Sequence, residues 1–167
     1  MLTGKFELLK ELGTIKVPAG YEHRNHLSVF RKKYRRRFWY YDKDIIDRNF
    51  MFPSRVLRPG DELRVIAFQQ IVPVTTSSQE RVAFLATEKS VFPGAQGISL
   101  VFEQMKDHLP KGMWYSSFDE GPWVRGDTAR YGVPCLAALA AGSFDFDLGA
   151  YNREWEEGHA FLCYCLD

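Results

Sequence analysis

Cysteine is scarce in this chain: Cys135, Cys163 and Cys165 are the only three in 167 residues. An odd, carboxyl-terminal set is not the framework of a disulfide-stapled secreted domain, so a reducing, cytoplasmic setting is expected. Long apolar runs are missing too. No stretch of about 18 apolar residues is present to span a bilayer, and the amino terminus has no apolar signal-peptide core of roughly 7 to 15 residues. No membrane association is therefore expected. Also absent are a phosphate-cradling glycine loop, a nucleophile elbow and a His-Glu-x-x-His helix, short motifs that each carry an enzymatic mechanism. Without one, the balance of expectation falls on a protein that binds a partner over one that catalyses a reaction, with no cofactor and no metal ligands assigned.

Hydrophobic residues are plentiful, and 13 Phe, 8 Tyr and 4 Trp supply large rings for a core. The length suits one compact domain spanning residues 1–167. Its organising stretch runs from Arg58 to Glu120 and reads as strand, helix, helix, strand. ELRVIAFQQIV is apolar on both faces, as a largely buried strand is. Ser77 and Glu80 then stand in capping-box spacing and mark a helix start. In the next helix Ile98, Val101, Phe102, Met105 and Leu109 form one apolar stripe between the breakers Pro93-Gly94 and Pro110. MWYSSF returns as a strand that would pair beside the first.

Around this unit the spacing of Phe6, Leu9 and Leu12, followed by Gly13, predicts a short amphipathic helix. From Asn25, Leu27, Phe30, Tyr34 and Phe38 line one side of a second helix. VPCLAALAA fits a buried strand or a buried helix equally. Phe144, Phe146 and Leu148 alternate with Asp145 and Asp147 as in a half-exposed strand, and HAFLCYCL reads as a final interior strand. The sum is an α+β fold with a mixed or antiparallel sheet of about four to six strands and three or four helices.

Charge is where function is sought. The net charge is only +1, yet residues 1–41 hold 10 Lys and Arg against 3 acids, +7, while the remainder carries −6. The excess concentrates in RKKYRRRFWYY, where Arg31, Lys32, Lys33, Arg35, Arg36 and Arg37 precede the rings of Trp39 and Tyr40. Cations neutralise phosphates and release their counterions, and rings stack on unpaired bases. The segment is accordingly the candidate site for an anionic partner, nucleic acid first and an acidic protein surface second. The competing reading is a solvated helix face above a buried stripe.

Two other classes are kept in view. One is a protein-interaction or inhibitor module that uses exposed aromatics and charge complementarity. The other is a metal-assisted hydrolase built on Asp145 and Asp147, or on the Asp119 to Asp127 loop, with His23, His26, His108 and His159 as available imidazoles. Cys135, Cys163, Cys165 and His159 have zinc chemistry without the usual knuckle spacing. Trp114, Trp123 and Trp155 are candidates for a carbohydrate or peptide platform, and equally for core packing.

Overall fold

Residues 4–120, 124–125 and 130–166 are described by the computed structural model. In chain order they form β1 (Phe6–Lys16), α1 (His26–Tyr34), β2 (Phe38–Tyr41), β3 (Glu62–Gln70), α2 (Ser78–Thr87), α3 (Gly94–Met105), β4 (Met113–Ser116), β5 (Val124–Arg125), β6 (Arg130–Ala138), β7 (Phe144–Ala150) and β8 (His159–Leu166). Three 3-10 turns, at Arg35–Arg37, Asp47–Asn49 and Lys106–His108, complete the regular structure among the described residues.

The strands form one mixed sheet in the order β1-β3-β8-β4-β6-β7-β2, with β5 paired to β6 off that path. The β4/β8 and β2/β7 pairs are parallel and the others antiparallel. The fold is therefore α+β, with three α-helices among the described residues and more strands than the four to six expected. Two elements account for the surplus. The ambiguous VPCLAALAA is strand β6, and the expected amino-terminal helix is β1.

That error has a definite cause. β1 pairs with β3 through two register shifts, between Leu8 and Lys10 and between Glu11 and Gly13. Each bulge adds a residue, so the apolar positions Phe6, Leu9, Leu12 and Ile15 recur every three residues instead of every two. A twice-bulged strand thus imitates a helix in sequence. Gly13, with φ 125°, belongs to the second bulge and caps no helix.

The strand-helix-helix-strand unit exists, but its strands do not touch. β8 lies between β3 and β4, so β4 pairs with β8 and β6 instead of β3. Its two helices also part company. On one face of the sheet, Leu63, Val65, Leu162 and Tyr164 pack with Leu27 and Phe30 of α1 and with Ile98, Val101 and Phe102 of α3. On the other, Ile66, Phe68, Phe161 and Cys163 pack with Phe84 and Leu85 of α2 and with Trp155. Strand alternation makes this division possible, because odd and even residues of β3 and β8 are apolar alike.

Both helices of the unit are closely fitted. The Ser77–Glu80 capping box forms in full. α3 is buried nearly all round, and a Cβ added at Gly97 would stand 2.3 Å from Pro93 and 3.2 Å from the Tyr164 ring. Close approach is what requires that glycine. From α2, the wholly buried Arg81 donates to His159 O, Thr76 Oγ1 and Gln70 Oε1. Its guanidinium lies 4.8 Å from the Phe161 ring centroid and 5.4 Å from that of Trp155. Burial pushes its pKa down to about 9, which leaves it a cation at neutral pH. No helix among the described residues is long and apolar enough to cross a membrane.

Candidate nucleic-acid interface

The basic segment is not one helix. α1 stops at Tyr34, Arg35–Arg37 form the 3-10 turn, and Phe38 begins β2. Its start is fixed from a distance. Asn25 makes no side-chain cap bond; instead Asp47 Oδ1 accepts from Leu27 N at 2.8 Å and Oδ2 from Ser28 N at 3.1 Å, with the Ser28 hydroxyl also donating to it. A carboxylate on otherwise unpaired N–H groups suits the positive end of the helix. His26, the first residue of α1, is bonded below. The Ser99 hydroxyl gives its proton to Gln96 O, so its oxygen accepts from His26 Nε2 at 2.7 Å. Burial lowers the His26 pKa, against the pull of Glu103 and Asp47.

The six cations divide. Arg31, Lys32 and Arg35, at i, i+1 and i+4, line a groove of about 420 Å³ with Leu27, Ser28, Ile45 and Ile46. The Arg31 guanidinium sits over the Tyr41 ring, 5.2 Å from its centroid, and Arg35 Nη1 donates to Phe38 O at 3.2 Å. Lys33 points elsewhere, to Glu103 Oε1 at 3.4 Å, and among the described residues it is the one member of the six in an ion pair. Arg36 and Arg37 are exposed on the 3-10 turn.

The rings divide as well. β2 pairs with β7 through a register shift between Phe38 and Tyr40, which leaves Trp39 as the extra residue. A bulge turns side chains out of simple alternation. Phe38 and Tyr41 consequently both face the core, and Trp39, two residues after the Arg35–Arg37 turn, stands 82% exposed. Tyr40 falls on the acidic side. Its N–H donates to Asp145 Oδ1 at 3.1 Å, and the charges of Asp42, Asp147 and Asp44 raise the pKa of its phenol.

No protein-family model, curated protein or solved structure matches this chain. Its chemistry must be read from its own side chains.

The remaining candidates do not converge in the same way. Asp147 accepts from Leu148 N at 2.7 Å, and burial, together with the nearby Asp42 and Asp145, raises its pKa. Asp119 holds Ser54 N and Glu120 N, and Asp127 lies outside the described residues. Cys163 and Cys165 approach to 3.6 Å, with burial pushing the Cys163 thiol up to about 12. Cys135 sits apart, donating to Val133 O. Among the described residues no group of three His, Cys, Asp or Glu is placed to hold a metal. Trp155 is core, its Nε1 donating to Ser78 Oγ at 2.8 Å; Trp114 is half-buried and Trp123 is outside the described residues.

What reading the sequence missed is the opposite wall and the anchor: Ile45, Ile46 and Asp47. The wall left no pattern, since a loop has no period. The helix side did leave one. Ser28, Arg31, Lys32 and Arg35 recur at helical spacing along one flank of the buried stripe that Leu27 begins.

Proposed function

We propose that the protein binds single-stranded nucleic acid along the surface formed by α1, the 35–37 turn and Trp39. The observation that carries this reading is the exposed Trp39 indole, freed by a bulge just after the Arg35–Arg37 turn, in a segment whose other five cations have no acidic partner among the described residues. An exposed indole leaves considerable apolar area in water, and unpaired bases are the partners that cover such a face while their phosphates meet the cations. A duplex keeps its base faces stacked internally, so the ring favours a single strand. Tyr40 is not part of the proposed surface, because acids surround it.

The test is a salt titration with single-stranded RNA and DNA. Each phosphate neutralised contributes about 0.7 to the slope of log K against log salt. Replacing Arg35, Arg36 and Arg37 together with Ala is expected to weaken binding and flatten that slope by about 2. No binding by the wild type at low salt, or binding to anionic phospholipid vesicles in place of the oligonucleotides, refutes the proposal.

A further inference from the structure

The groove beside α1 asks for more than a length of backbone. Its cationic rim is Arg31, Lys32 and Arg35, and Ile46 offers a half-buried apolar side chain opposite. Leu27 and Ile45, both wholly buried, seal the floor. Its volume, about 420 Å³, falls within the roughly 300–1,000 Å³ of small-molecule sites, more space than one phosphate fills. An anionic ligand with a flat, weakly polar part matches this combination.

Two guanidinia are held in advance, Arg31 by the Tyr41 ring and Arg35 by Phe38 O. Preorganised side chains lose less entropy when a ligand arrives. One carboxylate, Asp47, stands nearby, but it is occupied by the N–H groups of Leu27 and Ser28. The second observation is Tyr41. Its residue is 4% exposed and its ring lies beneath the Arg31 guanidinium, backing that side chain from within the core.

We infer that this groove seats one nucleotide of the bound strand, its phosphate on Arg31, Lys32 and Arg35 and its base against Ile46 and the aliphatic stems of the cations. The inference rests on the strand-binding reading and narrows it to a subsite.

Calorimetric titration of the intact protein with uridine monophosphate, inorganic phosphate and a short oligouridylate tests this. The mononucleotide is expected to bind at least about tenfold more tightly than inorganic phosphate and to compete with the oligonucleotide. Ile46→Asp is expected to abolish mononucleotide binding, and exposed Lys32→Glu to do the same should the first variant fold poorly. Oligonucleotide binding with no preference for the mononucleotide over phosphate, or with both groove variants unaffected, overturns the subsite and leaves the strand reading standing. Mononucleotide binding without oligonucleotide binding keeps the groove and removes the strand. Absence of both removes both.

Discussion

At Trp39 and Arg81 two large cation-associated groups meet opposite fates. Trp39 is exposed and packs on little, so Trp39→Ala is expected to leave thermal unfolding unchanged. If a base stacks on it, the same change costs about 1–3 kcal/mol of oligonucleotide affinity, read by fluorescence anisotropy. Arg81 is wholly enclosed and bonded to His159 O and Gln70 Oε1. Arg81→Met relieves the burial of a charge but leaves the His159 carbonyl without that donor. A lost charged bond at a buried carbonyl is worth about 2 kcal/mol, and chemical denaturation is expected to show a loss of that size. Composition marked the arginines of residues 31–37 as unusual and gave no sign of Arg81. A single cation in SQERVAFLAT looks like any solvated helix position until the sheet closes over it.

Among the elements, α1 depends on a loop residue far along the chain. Asp47→Ala removes the acceptor for two helix N–H groups and is expected to destabilise the protein by about 1 kcal/mol in urea unfolding. Local signals were legible where the chain caps itself, as at Ser77 and Glu80, and illegible where the cap comes from elsewhere. The same distinction explains the strands. β3, β7 and β8 keep regular spacing and announce themselves. β1 and β2 contain bulges, and each bulge resets the two-residue rhythm on which a strand reading depends. In β2 the irregularity that blurred the sequence is also what brings Trp39 to the surface. The basic cluster was visible as composition. Its division between groove, turn and Glu103 was not, because that depends on where the helix ends and which wall faces it.

Over the whole molecule, acid is expected to weaken the fold through its histidines. Burial lowers the pKa of both His26 and His159 from the ordinary 6.5, and Arg153 and Arg81 add to the effect at His159. The unfolded chain then binds protons before the folded one does. Stability is present in full above about pH 6.5 and falls as pH drops towards the folded values. Asp147 acts in the opposite sense, since its raised pKa lets the folded state take a proton first. Its contribution enters lower, nearer the carboxylate range. Melting temperatures are therefore expected to be flat from pH 8 to 7 and to decline from about pH 6.5 downwards.

The place of β8 in the sheet bears on the molecule's birth. Among the described strands, β3 and β4 have no common neighbour other than β8, and β8 is the last of them to be synthesised. Until residues 159–166 clear the ribosome, β1 with β3 and β4 with β6, β7 and β2 are separate half-sheets, each with an open apolar edge where the other will join. The nascent chain thus carries two unpaired edges that invite wrong partners, and a single strand closes both at once.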